Sequence, residues 1–185
     1  MIDKSRVRNA TLGLLAAIGE DPSREGLKGT PDRVAAFWSE FIDNDPGNLE
    51  TSFSSAESGQ LVVVSGIRVW SLCEHHLLPF WCDVAIGYIP AETILGLSKF
   101  ARVAQRAAHK LQVQERLTAE IADSVEALTG VGNVAVISKG EHLCMQMRGI
   151  KSPASMSCSV MRGAFMEILA LRSEFLSLVG YGRTA

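Results

Sequence analysis

The hydrophobic pattern of this chain changes near residue 60, and that change limits the possible folds more than any other feature. Before it, residues 5–19 and 30–42 carry apolar side chains at helical spacing, so two helices are predicted. After it, segments rich in β-branched and aromatic residues surround two further amphipathic segments. The predicted strands are 60–70, 83–90, 131–140, 141–150 and 155–165, and the later helices are 98–111, 115–130 and 173–180.

The order of these elements predicts an α+β fold. Two N-terminal helices precede a β-β-α-α-β-β unit, which indicates a mainly antiparallel sheet. The polar, turn-rich stretch 43–59 is the predicted linker. We therefore expect an N-terminal helical segment, residues 1–50, and a catalytic domain, residues 51–185, that together form a single compact domain.

Local signals also predict where helices begin and end. Thr30 is the predicted N-cap of the second helix, with Pro31 at its first position. Ser98 is the predicted cap of the third helix, and Gly130 is expected to end the fourth. In the first two helices, buried stripes are expected at Val7, Leu12, Leu15 and Ile18, and at Val34, Phe37, Trp38 and Phe41.

Charge and composition give no support to nucleic-acid or membrane-surface binding. The formal net charge is −2, and no apolar run approaches the ~20 residues of a membrane helix. The N-terminus lacks the plan of a signal peptide. We therefore expect a cytoplasmic protein whose four cysteines stay reduced, which favours metal binding, catalysis or packing over disulfides.

The stretch SLCEHHLLPF, residues 71–80, concentrates potential metal ligands. Cys73 and His76 are three residues apart, a spacing at which side chains converge across one turn. Far downstream, His142 and Cys144 are two residues apart on a predicted strand and would project from the same face. Catalytic zinc takes three protein ligands and keeps one position open, whereas structural zinc takes four. The clustering favours a catalytic site, but spacing alone does not decide which histidine is the ligand.

The remaining cysteines and histidine are interpreted as packing residues. An isolated cysteine behaves as a small buried hydrophobe, and a lone histidine is more often a core residue than a ligand. This interpretation applies to Cys82, Cys158 and His109.

Five motifs of this chain have the form and the order seen in one known protein family, and these motifs are SLCEHHLLPF, GYIP, GLSKFAR, QVQERLT and HLCMQMRGI. The chain therefore resembles the GTP cyclohydrolase I family. The upstream segment EDPSREGLKGTPDRV is also similar to that family, so the resemblance covers nearly the whole chain. It implies the tunnelling fold and a homodecamer with active sites at subunit interfaces. It also implies a zinc ion (Zn²⁺) held by Cys73, His76 and Cys144, with His75 and His142 as catalytic histidines.

The resemblance further implies a reaction, in which GTP and water give 7,8-dihydroneopterin triphosphate and formate. Zinc lowers the pKa of its bound water to about 7, and a histidine with a pKa of about 6.5 can protonate N7 of guanine. His142 is the candidate for that acid, and His75 for later proton transfers. By the same resemblance, Gln114 and Glu115 contact guanine, and Ser98, Lys99, Arg102 and Arg148 contact the triphosphate.

Two features depart from the family pattern. Cys82 stands where the family usually has glycine, and we do not expect it to be a fourth ligand, because that would close the position that water needs. The segment 152–160 is about one residue shorter than usual and replaces a threonine-rich run. These departures leave open a divergent paralogue that acts on a related purine nucleotide. A non-catalytic, zinc-stabilised purine- or pterin-binding module is the other alternative.

Overall fold

Two helices make up the first of two units into which the chain divides after Asp45. The computed structural model describes residues 1–49, 52–54 and 59–180. In the first unit, α1 is Lys4–Ala17 and α2 is Thr30–Ile42. The carboxylate of Asp3 caps α1 by accepting a 3.0 Å hydrogen bond from the backbone N–H of Arg6.

The expected ends and faces of these helices need correction. Gly29 is the N-cap of α2, and Thr30 is its first helical residue, so the predicted cap is displaced by one position. Ile18 follows the last turn of α1 and is 65% exposed, because the helical stripe stops before it. Phe37 is 46% exposed, since its ring packs along its own helix against Trp38 and Phe41.

The second unit, Pro46–Ala185, contains seven strands and five helices within its described residues. The strands are β1 (Ser52–Ser54), β2 (Val62–Cys73), β3 (Pro79–Tyr88), β4 (Thr93–Leu95), β5 (Leu111–Gln112), β6 (Val134–His142) and β7 (Ser155–Met161). The helices are α3 (Leu97–Ala108), α4 (Gln114–Thr129), α5 (Leu143–Gln146), α6 (Ala164–Glu167) and α7 (Leu169–Leu178).

Five of the strands form one sheet in the order β5-β2-β3-β6-β7. All neighbouring pairs are antiparallel except β2 and β5, which are parallel. The short strands β1 and β4 form a separate antiparallel pair. The expected α+β fold with a mainly antiparallel sheet is therefore confirmed, and the two long helices fall between β3 and β6 as the sequence indicates.

The sheet is buried on both faces of its central strands. On one face, Phe80, Val84 and Ile86 of β3 belong to a core cluster that also contains Phe100 of α3 and Leu117 of α4. On the other face, Ala85 and Ile137 pack with Phe165 and Phe175 of the C-terminal helices. This double burial explains why β3 and β6 read as nearly continuous hydrophobic runs.

Two predictions about local structure were wrong, and one was confirmed. The predicted strand 141–150 is wrong from residue 143 onward, because β6 ends at His142 and the one-turn helix α5 follows at once. Ser98 is not the cap of α3: the N-cap is Gly96, since β4 ends at Leu95 and the helix begins two residues later. Gly130 ends α4 in the left-handed conformation, with φ +69°, as expected.

Across the described residues, no helix combines the length and the apolar character needed to span a membrane.

Candidate active site

The register of three neighbouring strands brings the distant ligand motifs together. Ser71 of β2 pairs with Phe80 of β3, and Phe80 pairs with His142 of β6. Ser71, Phe80 and His142 thus lie side by side across the three strands. Cys73 follows Ser71 by two residues, and Cys144 follows His142 by two residues, on opposite sides of the start of β3. The backbone therefore places both cysteines at the same end of these strands.

Cys73, His76 and Cys144 form a group that could hold one metal ion. Their donor atoms lie within 4.8 Å of one another. Zinc–ligand bonds are about 2.0 to 2.3 Å long, so a small inward movement of these side chains would bring all three onto one ion. Two thiols and an imidazole are donors that suit zinc. The residues present therefore fit a three-ligand zinc site.

Cys144 reaches this group from α5 rather than from a strand. It is the second residue of that helix, whose N-cap is His142, so the expected strand geometry for the pair was wrong although the two residues do converge. Burial raises the pKa of Cys144, and the neighbouring Cys73 raises it further. Two neighbouring thiolates repel each other, so the neutral thiol is favoured at Cys144. A bound dication would instead favour the thiolate form.

The two adjacent histidines occupy different positions around Cys73. The Nδ1 atoms of His75 and His76 lie 3.9 and 3.7 Å from its sulfur. Only His76 belongs to the three-donor group found among the described residues, and its Nε2 is 2.5 Å from the Arg148 guanidinium. His75 is largely exposed, with Nε2 4.0 Å from the Glu74 carboxylate.

A tight turn between β2 and β3 carries these histidines, and α4 holds it in place. The backbone N–H groups of His76 and Leu77 donate to the carbonyl of Cys73, and Leu77 adopts a left-handed conformation with φ +56°. Arg116 in the first turn of α4 forms an ion pair with Glu74. This ion pair holds the pKa of Glu74 below its ordinary value.

His142 lines the wall of the site in a defined orientation. Its ring stacks on Phe80, with centroids 4.5 Å apart and planes inclined by 10°. Its Nε2 lies 2.9 Å from Oε1 of Gln114. Burial lowers the pKa of His142, and the charge of Glu115 opposes that effect.

These groups surround one cavity of about 420 Å³. Its lining contains Cys73, His75, His76, Gln114, Glu115, His142 and Cys144, which are seven of the eleven site residues expected from the sequence. Sequence reasoning missed Gln112, Val113, Met145, Ser155 and Met156, which complete the lining. Gln112 and Val113 lie within the QVQERLT motif and Met145 within HLCMQMRGI, whereas Ser155 and Met156 belong to the segment 152–160 that departs from the family pattern.

The expected phosphate contacts on α3 do not line this cavity. Lys99 is only 6% exposed, and its ammonium group donates a 2.5 Å hydrogen bond to the backbone oxygen of Asn48. Arg102 donates to the same oxygen at 3.1 Å. Ser98 occupies the first turn of the same helix. Arg148 is also outside the lining but touches it through His76.

Cys82 and Cys158 lie apart from the three-donor group. Cys82 is completely buried in the core, and burial raises the pKa of its thiol to about 12. Cys158 lies in β7 opposite Ser138 of β6. All four cysteines are free. The structure thus agrees with packing roles for these two residues.

Comparison with known proteins identifies the family of this chain. The GTP cyclohydrolase I family profile matches residues 7–180. A GTP cyclohydrolase 1 from Aquifex aeolicus is 46% identical over 96% of this chain and 97% of its own length. Its counterpart from Sulfurihydrogenibium sp. is 44% identical over 97% of this chain and 96% of its own length. Another, from Deinococcus radiodurans, is 46% identical over 89% of this chain and 79% of its own length.

The match runs through both N-terminal helices and the whole β-sheet unit, so the α+β arrangement described above is the tunnelling fold expected from the sequence motifs. The chain belongs to the GTP cyclohydrolase I family.

Proposed function

We propose that this chain is a zinc-dependent GTP cyclohydrolase I. It hydrolyses the imidazole ring of guanine in GTP at C8 and yields 7,8-dihydroneopterin triphosphate and formate. The observation that carries this proposal is a single cavity that joins a three-donor metal group to His142 and Glu115. A three-ligand site beside ionisable groups suits hydrolysis, because catalytic zinc needs an open position.

Cys73, His76 and Cys144 would hold the zinc ion. When bound, zinc supplies Lewis-acid chemistry and makes water a competent nucleophile near neutral pH. The chain's own contribution is to fix these three donors at the ends of β2 and β6, on either side of β3. Arg116 and Glu74 restrain the turn that carries His76.

His142 would transfer the proton that N7 of guanine gains when water adds to C8. Its ring lies in the cavity wall, stacked on Phe80 and hydrogen-bonded to Gln114, so it is already oriented before substrate binds. General acid–base catalysis of this kind contributes about 10² to 10⁴-fold to a rate. His75, which is exposed at the cavity edge, would serve the later ring-opening and ribose steps.

Glu115 would recognise guanine. It occupies the first turn of α4 and lines the cavity. A carboxylate can accept hydrogen bonds from both N1–H and the 2-amino group of guanine, and adenine lacks this pair of donors. Selectivity for guanine then follows from the hydrogen bonds that an adenine nucleotide would leave unmade.

Ser98, Lys99, Arg102 and Arg148 would bind the triphosphate. The three residues on α3 lie near the start of a twelve-residue helix, where N–H groups and the helix dipole favour anions. They lie outside the cavity of their own chain. This supports a homo-oligomer, proposed to be a decamer, in which α3 of one subunit contributes to the site of another.

We also propose a cytoplasmic location without a membrane or nucleic-acid partner. Four free cysteines and a net charge of −2 support it. The metal-ligand thiols Cys73 and Cys144 would need a reducing compartment to stay available.

The test is to incubate the purified protein with GTP and measure formate and the oxidised, fluorescent neopterin product. We expect both products, and their loss on treatment with a chelator. His142→Ala should keep its zinc and lose at least about 100-fold in kcat. His109→Ala, which alters a histidine at the end of α3 outside the cavity, is the matched control.

Other outcomes would identify the alternatives. A fully active His142→Ala would refute the role assigned to that residue. Turnover of another guanine nucleotide but not of GTP would indicate the divergent paralogue. Zinc and guanine binding without any turnover would indicate the non-catalytic module.

A further inference from the structure

Gln114 is completely buried, and its side-chain amide is fully engaged. Its Nε2 lies 3.1 Å from the backbone oxygens of Ser138 and Met156, and 3.1 Å from the Ser138 hydroxyl. Its Oε1 lies 2.9 Å from Nε2 of His142. The amide therefore faces β6, β7 and His142, although the motif resemblance predicts a guanine contact.

These partners leave the amide only one orientation. The backbone oxygens of Ser138 and Met156 can only accept hydrogen bonds, so the NH₂ end of Gln114 must face them. The oxygen of the amide then faces His142. Because that oxygen can only accept, Nε2 of His142 must carry a hydrogen and donate it.

The hydroxyl groups around Gln114 agree with this assignment. Thr118 donates its only hydroxyl hydrogen to the backbone oxygen of Gln114 at 2.7 Å. The 2.7 Å contact between the hydroxyls of Thr118 and Ser138 must then use the hydrogen of Ser138. That leaves the Ser138 oxygen to accept from Gln114. Gln114, Thr118 and Ser138 are all 0% exposed, so water does not compete for these bonds.

We propose that Gln114 is a positioning residue that fixes His142 in the tautomer with hydrogen on Nε2. This makes Nδ1 the nitrogen that exchanges protons with the reacting groups. The proposal deepens the function proposed above and rests on His142 being the catalytic histidine.

The consequence is a defined path for one proton. As the oxygen of the attacking water bonds to C8, one of its O–H bonds breaks and that proton moves to Nδ1 of His142. The π electrons of the C8–N7 bond move to N7, which then takes the proton from Nδ1. Water has been added across the bond, and His142 has returned to its starting tautomer. Throughout, Gln114 stabilises the positive ring by keeping its oxygen on Nε2–H.

The first test is Gln114→Met, which keeps an unbranched side chain of similar length but removes the amide. A positioning role predicts that kcat falls about 10 to 100-fold while KM for GTP changes less than about threefold. A guanine contact predicts the opposite pattern, a raised KM with kcat nearly unchanged. That opposite pattern would overturn the proposal.

The second test observes the tautomer directly, by solid-state ¹⁵N spectra of histidine-labelled protein. The spectra are recorded well above the ordinary histidine pKa of about 6.5. The His142 signals are identified by their disappearance in His142→Gln. We expect a protonated Nε2 and an unprotonated Nδ1 in the wild type, and a mixture of tautomers in Gln114→Met. A wild-type His142 protonated on Nδ1 would overturn the proposal even if Gln114→Met failed to fold.

Two further variants separate positioning from general loss of packing. Gln112→Met removes another fully buried amide, which bonds Ala107, Glu120 and Arg116 rather than His142. It should leave the His142 tautomer unchanged. Ser138→Ala removes one acceptor but keeps both backbone oxygens, so the tautomer should again persist. A tautomer lost equally in all three variants would overturn the specific role of Gln114.

The role of His142 and its positioning by Gln114 can be tested separately. A changed tautomer with unchanged kcat in Gln114→Met would refute His142 as the catalytic histidine, and with it Nδ1 as the reacting nitrogen. An inactive His142→Ala with an unchanged tautomer in Gln114→Met would refute only the positioning by Gln114.

Discussion

At the scale of single residues, Cys82 shows how a departure from the family pattern can be accommodated without changing the site. Its side chain is completely buried and lies opposite Gly140 on the paired strand β6. A Cβ at position 140 would lie 2.6 Å from the Cys82 sulfur, so the glycine provides the space that the sulfur fills. With a pKa of about 12, this thiol stays protonated at neutral pH.

Cys82→Ala should therefore leave the metal site intact. Removing one buried sulfur leaves a small cavity, and we expect the free energy of unfolding to fall by about 1 kcal/mol. Zinc content, measured by atomic emission, should remain equal to that of the wild type. A loss of zinc in this variant would contradict the three-ligand assignment.

Gly140→Ala should be much more damaging. The added Cβ would lie 2.2 Å from the backbone oxygen of Trp81, which cannot move without breaking the pairing of β3 and β6. Overpacking of this kind costs about 1 to 3 kcal/mol, and chemical denaturation would measure it. Because the backbone contact is the closer one, adding Cys82→Gly should not restore stability. A full rescue would show that the sulfur, not the backbone, sets the limit.

At the scale of elements, the turn between β2 and β3 is held by several kinds of local contact. It is fixed by backbone hydrogen bonds to Cys73, by the left-handed Leu77 and by the ion pair between Glu74 and Arg116. Glu74 belongs to the sequence cluster that holds the proposed metal ligands, yet its partner is Arg116 of α4. The ion pair therefore connects this turn to a helix.

This ion pair predicts a specific pH dependence of stability. Arg116 holds the folded pKa of Glu74 below the unfolded value of about 4.3. The stabilisation by this ion pair is complete at pH values above the unfolded pKa of Glu74. It is lost as the pH falls through the lower, folded pKa. In the metal-free protein, Glu74→Gln should therefore lower Tm at neutral pH, and this difference should disappear in acid. In an Arg116→Met background, Glu74→Gln should change Tm at neither pH, and a persistent difference would contradict the pairing.

The elements that the sequence predicted correctly are those with strong local signals. The helix ending at Gly130 is one example, because glycine adopts the left-handed conformation without strain. The error at residues 141–150 has a physical cause, since α5 begins where β6 loses its partner strand. The error at Ser98 has a similar cause: the pairing of β4 with β1 ends at Leu95 and leaves Gly96 to start the helix. Such long-range pairings cannot be read from local propensity.

The candidate site, like the fold, was predicted from the sequence only in part. Cys73, His76 and Cys144 were identified as potential ligands because cysteine and histidine are rare in this chain and cluster in two motifs. The buried network around Gln114 was not predicted, because it depends on the register of β6 and β7. Glutamine carries no spacing signal that distinguishes a ligand contact from a buried support.

At the scale of the whole molecule, the second unit exposes several large apolar side chains. Its proposed substrate contacts also lie in two separate places, the cavity and α3. Trp70, Leu97 and Ile150 are more than half exposed in the single chain. Large exposed apolar residues are typical of protein interfaces when they form patches. The proposed phosphate contacts on α3 lie outside the cavity that contains the metal group. This separation supports the proposed assembly of the active site from more than one subunit.

Mixed assemblies would test this directly. Cys144→Ala should abolish metal binding, and Arg102→Ala should weaken the hold on the triphosphate. If each site takes its metal group and its α3 residues from different chains, co-expression of the two variants should regenerate about one quarter of the sites in random assemblies. Activity no higher than the sum of the separate variants would indicate that each chain builds its own complete site.

We propose that Cys73, His76 and Cys144 are the only protein ligands of a zinc ion whose fourth position stays open to water. X-ray absorption at the zinc K-edge measures this most directly. We expect two sulfur atoms at about 2.3 Å and two lighter atoms at about 2.0 to 2.1 Å, of which one is an imidazole nitrogen. The spectrum should be unchanged in Cys82→Ala and in His75→Ala. A third sulfur, or a second imidazole that disappears in His75→Ala, would show that this ligand set is wrong.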